Sequence, residues 1–273
     1  MGEANRRIKA RQKFLQNHKA CVYCGESATT TDHCPPRCFF DRREWPETYE
    51  FPACESCNRS SRLDEQVLAV LARLQFAEED KANEREWKSL FSGVVNNQPE
   101  YVVEWQQTTA TQRKRHFRQL FGSEDGAVLR QAGWGALYIG PLTKSAISRF
   151  AVKLGKALYY YHLGNIFVGD MYVRQLNPFS TQYASGSLDK IFELAPKFAL
   201  LQRNSKPVTH RFNYRYDYAD GIGLLYAIVC FGTQMVLQII AAQKDVAAGI
   251  DLAIGTKNRA YRCELGREPV PIV

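Results

Sequence analysis

The pattern of apolar and polar positions changes near residue 64, which is the first sign of separate structural units. Residues 20–64 are rich in Cys, Pro, Thr and Arg and show no long apolar period. From Asp64 onward, apolar residues recur at helical spacing, and the charged run from Glu78 to Lys88 continues that period as a solvated face. We expect one long helix here, which ends before Pro99.

The rest of the chain mixes helical and strand patterns. Apolar residues at helical spacing predict helices over residues 104–120, 144–162 and 245–254. Alternating aromatic and polar residues predict a strand over residues 211–218, and residues 134–139 are a further candidate strand.

The longest apolar run covers residues 222–242 and is long enough to be considered as a membrane span. Gly232, Thr233 and Gln234 interrupt it, and no cationic segment precedes it. Two buried strands joined by a turn at this interruption explain the pattern better, so we expect a hairpin over residues 224–240 and no membrane partner.

These patterns predict an α+β fold, in which a small N-terminal module is followed by a mixed α+β domain. A basic helix is expected over residues 1–19, the small module over 20–65, a helical connector over 66–120 and the α+β domain over 121–273. The small module lacks an apolar period, so a bound metal is the expected source of its stability.

The balance of charge allows a polyanionic partner without requiring one. The formal net charge is +8 at neutral pH, and residues 1–20 are strongly basic. This N-terminal helix could be a solvated helix or could face nucleic acid. No apolar signal segment is visible, so we expect a cytoplasmic protein. The domain over 121–273 could instead contact a partner protein or a second copy of the chain.

The cysteines are the strongest signal of chemistry in the sequence. Two Cys-x-x-Cys pairs occur, and such pairs supply the tetrahedral thiolates of a structural zinc site. They are Cys21 with Cys24 and Cys54 with Cys57. Because no secretory signal is visible, a disulfide framework is not expected. Cys34 and Cys38 have a less suitable spacing and are interpreted as buried or incidental thiols.

The stretch "TDHCPP" lies between the two pairs. Hydrolysis of a phosphodiester requires a base to activate water and a divalent ion to stabilise charge on the phosphate. Asp32 and His33 could supply an oxygen ligand and a base, provided that the strand ends there, and Pro35 and Pro36 favour such an end. Asn58 follows the second cysteine pair and could add a second oxygen ligand for Mg²⁺.

The order of these elements resembles the HNH endonuclease family, whose core is a ββα-metal finger. The resemblance covers about residues 20–65 and is carried by "CVYCG", "TDHCPPR" and "FPACESCNRSSRLDE". It implies that His33 is the general base and that Asp32 and Asn58 hold a catalytic Mg²⁺ or Mn²⁺. It also assigns structural zinc to the four cysteines of the two pairs, and DNA cleavage in anti-phage defence or a mobile element as the function.

One departure from the family concerns the residue that orients the catalytic histidine. The family often places an Asn several residues before the second cysteine pair, whereas this chain reads "WPETYEF" there. We expect Glu47, Thr48 or a backbone carbonyl to orient His33. Asp64 and Glu65 are interpreted as a solvated acidic start of the next helix, with a role in metal binding as the alternative.

Arginines around the stretch are the expected contacts to nucleic acid, because guanidinium groups match phosphate geometry. We expect Arg37, Arg59 and Arg62 to take this role. Two alternatives remain. The module could be a non-catalytic zinc finger that binds nucleic acid or protein, or the nuclease could cleave RNA, because contacts to phosphate do not distinguish the sugar.

Overall fold

The structure is a computed structural model. It describes residues 3–41, 44–74, 81–107, 109–131, 137–176, 191–208, 211–232, 235–243, 246 and 259–272.

Helices and strands are both abundant, so the predicted α+β class is confirmed. The helices are α1 Glu3–Asn17, α2 Glu55–Ser60, α3 Arg62–Ala72, α4 Lys81–Asn97, α5 Pro99–Gln106, α6 Ala110–Phe121, α7 Asp125–Gln131 and α8 Pro141–Leu163. The strands are β1 Thr30–His33, β2 Glu50–Ala53, β3 Gly169–Leu176, β4 Lys197–Phe198, β5 Gln202–Arg203, β6 Lys206–Pro207, β7 Phe212–Ala219, β8 Leu224–Phe231, β9 Met235–Ala242, β10 Arg259–Cys263 and β11 Val270–Ile272.

The main sheet is antiparallel between all neighbouring strands, in the order β11-β10-β3-β9-β8-β7-β4. The predicted apolar hairpin is confirmed as β8 and β9, whose register pairs Phe231 with Met235 next to the turn. Gly232 begins this turn with a φ of 57°, a conformation that glycine adopts without strain.

None of the helices in the described ranges combines the length and the apolar character that crossing a membrane requires.

Helix α8 is central to the fold and confirms the helix predicted over 144–162. It packs against β3 and β9 and also contacts α3. Gly155 permits this close approach, because a Cβ atom there would lie 2.5 Å from the sulfur of Met171. At the N-terminus of α8, the carboxylate of Glu104 accepts hydrogen bonds from the N–H groups of Leu142 and Thr143 at 2.7 and 2.9 Å.

The chain between β1 and β2 inserts into the same core as α8 and the sheet. Phe39 stacks on Phe150 of α8 with ring centroids 5.3 Å apart, and it lies 4.8 Å from Phe231 of β8. The hydroxyl groups of Tyr49 and Tyr214 are 2.7 Å apart and form a buried hydrogen bond. The N-terminal hairpin is therefore held against the helix and the main sheet by shared apolar packing.

The single long helix predicted from Asp64 to residue 98 is wrong, because α3 ends at Ala72 and α4 begins at Lys81. Arg73 forms the C-cap of α3, and its buried guanidinium pairs with Asp41 at 2.6 Å and Glu86 at 3.0 Å. These two ion pairs tie α4 back to α3 and to the segment after β1. Both are contacts between separate segments of the chain, which helical periodicity cannot predict.

The helix predicted over 104–120 is also wrong, because α5 ends at Gln106 and α6 begins at Ala110. Thr109 and Gln112 form a capping box, which starts the second helix.

The strand predicted over 134–139 is not found in its described part: residues 137–139 are not in a strand, and residues 134–136 lie outside the described residues. The helix predicted over 245–254 also falls outside them, apart from residue 246.

His162 at the end of α8 is packed among the tyrosine rings of β7. Its ring stacks on Tyr216 with centroids 3.9 Å apart, and its Nε2 lies 3.0 Å from the hydroxyl of Tyr214. Burial, assisted by the charge of Lys197, lowers the pKa of His162 to about 4. The unfolded chain therefore binds a proton at a higher pH than the folded chain does.

We expect the stabilising effect of neutral His162 to be complete above pH about 6.5 and to be lost as the pH falls toward 4. Urea unfolding between pH 7 and 4 should show a steeper loss of unfolding free energy in the wild type than in His162→Gln. Equal slopes in the two proteins would contradict the assignment.

Candidate functional site

Four cysteine side chains converge at the N-terminal hairpin. The loop 21–24, strands β1 and β2 and helix α2 form a unit that we call the cysteine finger. The ligand atoms of Cys21, Cys24, Cys54 and Cys57 all lie within 4.8 Å of one another. The sulfurs of Cys24 and Cys54 are 3.7 Å apart, close to the separation of about 3.8 Å that tetrahedral Zn–S bonds of about 2.3 Å produce.

Local geometry explains how the two pairs meet. In the first pair, the N–H of Gly25 donates to the carbonyl of Cys21 at 2.8 Å, and Gly25 takes a φ of 83° that closes the turn. In the second pair, Cys54 is the N-cap of α2, and its sulfur accepts from the N–H of Cys57 at 3.4 Å. The predicted cysteine quartet is confirmed as a group that could hold a metal ion such as zinc.

Cys34 and Cys38 do not belong to this group among the described residues. Burial raises the pKa of Cys34 well above its ordinary value and raises the pKa of Cys38 to about 12. Cys34 is fully buried, and the thiol of Cys38 donates to the backbone carbonyl of Glu65 at 3.9 Å.

Strand β1 separates Asp32 and His33, because successive side chains point to opposite faces. Asp32 is 6% exposed and faces inward. Its Oδ2 accepts a hydrogen bond from the hydroxyl of Tyr23 at 2.8 Å and forms an ion pair with Nζ of Lys153 at 2.6 Å. Burial and the charge of Asp32 raise the pKa of Tyr23, so its hydroxyl remains a donor.

Lys153 comes from α8 and was not singled out by the sequence. Its ammonium also lies 2.6 Å from Oε1 of Glu65 and 2.6 Å from Oγ of Ser61. Burial lowers the pKa of Lys153, but the charges of Asp32 and Glu65 outweigh burial and raise it above its ordinary value. Lys153 is therefore a buried cation that joins the cysteine finger and α3 to α8.

The expectation that Asp64 and Glu65 are a solvated acidic start is wrong, because both side chains are buried. Asp64 accepts two hydrogen bonds of 2.7 Å from Nε and Nη2 of Arg149. Glu65 pairs with Lys153 as described above. Both carboxylates are neutralised by cations of α8, which lies more than 80 residues further along the chain.

His33 lies on the outer face of the hairpin, with a side chain that is 16% exposed. Glu50 is its cross-strand partner, and Oε1 of Glu50 lies 2.9 Å from Nε2 of His33. The same nitrogen lies 2.6 Å from Nη2 of Arg37. Nε2 cannot donate to the carboxylate and accept from the guanidinium at once, so the tautomer decides which contact is a hydrogen bond.

Glu50 was missed by the sequence analysis, which named Glu47, Thr48 or a backbone carbonyl. Glu47 is engaged elsewhere, since its Oε1 accepts from the N–H of Asn204 at 3.1 Å. The hydroxyl of Thr48 lies 3.3 Å from that of Tyr161. The position of Glu50 opposite His33 follows from the register of β1 and β2, which could have been tested by aligning the two strands.

Asn58 lies on α2 and ties that helix to β1. Its Nδ2 donates to the carbonyl of Thr31 at 3.2 Å and to the hydroxyl of Thr30 at 3.3 Å. These bonds keep α2 against the strand that carries Asp32 and His33.

The three arginines expected to bind nucleic acid differ in the partners of their guanidinium groups. Arg59 is exposed and pairs with Glu55 one turn earlier at 2.6 Å, and Arg62 is exposed at the start of α3. The guanidinium of Arg37 lies 4.1 Å from the ring centroid of Trp45. Arg203, which the sequence did not indicate, lies 4.0 Å from the same ring.

A divalent cation held jointly by Asp32 and Asn58 does not fit this arrangement. The ammonium of Lys153 and the hydroxyl of Tyr23 already bind Oδ2 of Asp32. A metal ion brought to Asp32 would meet the ammonium at short range, where burial weakens screening by solvent. The amide of Asn58 is meanwhile used to hold the strand.

Comparisons with protein-family models, with curated proteins and with solved structures found no match to this chain.

We expect the purified protein to carry a single zinc ion, which Cys54→Ala removes because three thiolates remain from the tetrahedral set. The measurement is metal content by mass spectrometry together with thermal unfolding. Cys230→Ala is the matched control, since Cys230 lies on β8 away from the quartet. Retention of zinc in Cys54→Ala would rule out this site.

Proposed function

We propose that this protein is a nuclease that hydrolyses phosphodiester bonds in DNA, with His33 as the general base. The observation that carries the proposal is the position of His33. It ends the first strand of a cysteine-held β-hairpin that leads into a helix, and the carboxylate of Glu50 and the guanidinium of Arg37 lie next to it.

The pair of His33 and Glu50 supports transfer of a proton from water. The step requires the tautomer in which Nε2 donates to Glu50 and makes no hydrogen bond with Arg37; the other ring nitrogen, Nδ1, is then the acceptor in the neutral ring. After Nδ1 takes a proton from water, Glu50 stabilises the imidazolium. The hydrogen bond from His33 lowers the pKa of Glu50, and the charges of Arg37 and Arg203 act in the same direction, so Glu50 is ionised at neutral pH.

Arg37 and Arg203 supply positive charge where a phosphate would lie. Both guanidinium groups contact Trp45, which fixes their positions, and the ring of His33 is 6.0 Å from that of Trp45. Guanidinium groups bind phosphate oxygens through directed hydrogen bonds. Arg59 and Arg62 are exposed on α2 and α3 and are proposed as further contacts to the nucleic-acid backbone.

Asp32 and Asn58 take no part as metal ligands in the chemistry proposed for His33 in this conformation. Their contacts are to Lys153, Tyr23 and β1. Attack by water on the phosphorus with loss of the bridging 3′ oxygen would leave a 3′-hydroxyl and a 5′-phosphate, as in the family that the sequence resembles.

A second candidate function is supported by the ion pair between Asp32 and Lys153. In this candidate the pair keeps a catalytic metal ion away from Asp32, and the finger is a non-catalytic zinc module that binds nucleic acid through the same arginines. The two candidates differ in whether the protein cleaves nucleic acid with His33 as the base or only binds it. RNA is the further substrate to test, because the basic surface would contact phosphates.

We expect His33→Ala to lower the rate of plasmid nicking at least about 100-fold, because a general base contributes that much. Glu50→Gln should lower the rate by a smaller factor, since it removes only the stabilisation of the imidazolium. The assay uses supercoiled plasmid with Mg²⁺, with Mn²⁺ and with neither. His18→Gln is the matched histidine control, as His18 contacts Tyr160. Equal nicking by wild type and His33→Ala would exclude the catalytic proposal.

We expect Arg37→Gln and Arg203→Gln each to weaken DNA binding and to lower the slope of log affinity against log salt by about 1. Fluorescence anisotropy with a labelled duplex measures both, in a His33→Ala background that leaves the probe intact. Lys88→Gln is the control, because Lys88 is an exposed cation on α4 that pairs with Glu84. An unchanged salt slope in both arginine variants would argue against this surface.

A further inference from the structure

Helix α1 projects from the body of the protein and is exposed along most of its length. Its described side chains between residues 5 and 13 are exposed, and only Phe14 and Leu15 near its end are half-buried. Packing of an apolar face supplies most of the stability of helices in proteins, and α1 gains little from it. The helix is therefore a surface to which a partner has access, and its side chains indicate which partner.

The outward face of α1 carries only residues that recognise nucleic acids. At about 100° per residue, Arg11, Phe14 and Leu15 lie on the side that meets the rest of the protein. An arc of about 140° on the other side holds exposed residues alone, none of them acidic and none apolar. They are Asn5, Arg6, Lys9, Gln12, Lys13, Gln16 and Asn17. Arginine and lysine bind phosphates and guanine, and asparagine and glutamine bind adenine through paired hydrogen bonds.

The dimensions of α1 suit the major groove of a B-form duplex. An α-helix with its side chains is about 10–12 Å across, and the major groove is about 12 Å wide. The 15 residues of α1 span about 22 Å, which is longer than the groove is wide. An A-form RNA duplex has a deep, narrow major groove that side chains cannot read. The geometry therefore favours duplex DNA over duplex RNA.

A hydrogen bond connects α1 to the strand that carries His33. Nη2 of Arg11 donates to the hydroxyl of Thr30 at 2.8 Å, and Nδ2 of Asn58 donates to the same hydroxyl at 3.3 Å. Thr30 begins β1 and His33 ends it, about 10 Å further along the strand. This separation is similar to the width of the major groove, so a phosphate backbone that borders the groove can lie near His33.

An anionic lipid surface is a poorer match for α1. Residues 4–20 contain six lysines and arginines and no acidic residue, which complements any polyanion. Helices that lie on membranes also present a continuous apolar face to the acyl chains. Among the described side chains of α1, Ile8 is the exposed large apolar one, and Phe14 and Leu15 turn toward the protein. The described part of α1 thus lacks the apolar face that a bilayer requires.

We propose that α1 is a recognition helix that lies in the major groove of duplex DNA and selects the sequence that the protein binds. Gln12 and Gln16, one turn apart on the outward face, contact base edges. Arg6, Lys9 and Lys13 contact phosphates on either side of the groove. The consequence for cleavage rests on the proposed nuclease function: α1 then determines which phosphodiester lies beside His33.

Selection from a pool of randomised DNA duplexes tests the base contacts. It uses the full-length, zinc-loaded protein in a His33→Ala background, which leaves the duplexes intact. We expect the chain with unaltered α1 to select a preferred sequence. Gln12→Ala with Gln16→Ala changes no charge and favours the helix, and it should lower the preference for that sequence over a scrambled duplex at least about tenfold. No preferred sequence, or a preference that this double variant leaves unchanged, would overturn the proposal.

Fluorescence anisotropy in the same background tests the phosphate contacts. Lys9→Gln with Lys13→Gln should lower the slope of log affinity against log salt by about 2 for duplex DNA. Arg113→Gln with Lys114→Gln is the matched control, because it removes the same charge from two exposed cations of α6 and should leave the slope unchanged. Equal changes in the two double variants would reflect net charge alone and would contradict a role for α1.

Duplex RNA and lipid vesicles test the identity of the partner. Duplex RNA of the selected sequence should bind at least about tenfold more weakly than the DNA, because its major groove does not admit α1. Vesicles that contain phosphatidylserine should not compete with the DNA. RNA binding as tight as DNA binding, or competition by the vesicles, would overturn recognition in the major groove.

Failure of the recognition helix and failure of the nuclease proposal give different results. A preferred duplex sequence that depends on Gln12 and Gln16, without nicking by any variant, supports the recognition helix and excludes the nuclease. Nicking that depends on His33, with no preferred sequence, supports the nuclease and excludes the recognition helix.

Discussion

The buried contact between Lys153 and two carboxylates is the interaction on which the arrangement of the site depends. The ammonium joins Asp32 of the hairpin, Glu65 of α3 and the backbone of α8 within one cluster. Because each partner is buried, removal of Lys153 would leave two carboxylates without a cation. The contact therefore fixes which face of β1 points inward, and His33 is left on the outer face beside Glu50.

The cysteine quartet, through α2, and the ion cluster around Lys153 both hold strand β1 in place. The four thiols hold the loop 21–24 to the start of α2, and Asn58 then ties α2 to β1. Lys153 fixes the other side of that strand. The outer face of β1, with His33 beside Glu50 and Arg37, is thus supported by the cysteine quartet, by α2 and by the buried ammonium of Lys153. The outer face of this short hairpin is held in place in this way, in addition to the apolar residues that the hairpin packs into the shared core.

Local sequence signals predicted the parts of the fold that depend on neighbours in the chain. The two Cys-x-x-Cys pairs, the period of α8 and the polar break between β8 and β9 are such signals. Contacts between distant segments had no such signal. Glu65 was interpreted as solvated because Lys153 lies 88 residues away, and the end of α3 depends on the pairing of Arg73 with Asp41 and Glu86. Glu50 can be recognised as the partner of His33 only when the register of β1 and β2 is known, and the local patterns did not give this register.

A double-mutant cycle on Asp32 and Lys153 tests the central claim most directly. Unfolding free energies would be measured for wild type, Asp32→Asn, Lys153→Met and the double variant, with zinc bound and other divalent ions removed. The account predicts that the double variant is more stable than the sum of the single effects implies, by at least about 2 kcal/mol, because Lys153→Met alone leaves two buried carboxylates without a cation and Asp32→Asn removes one of them. Effects that add to within about 0.5 kcal/mol would contradict it.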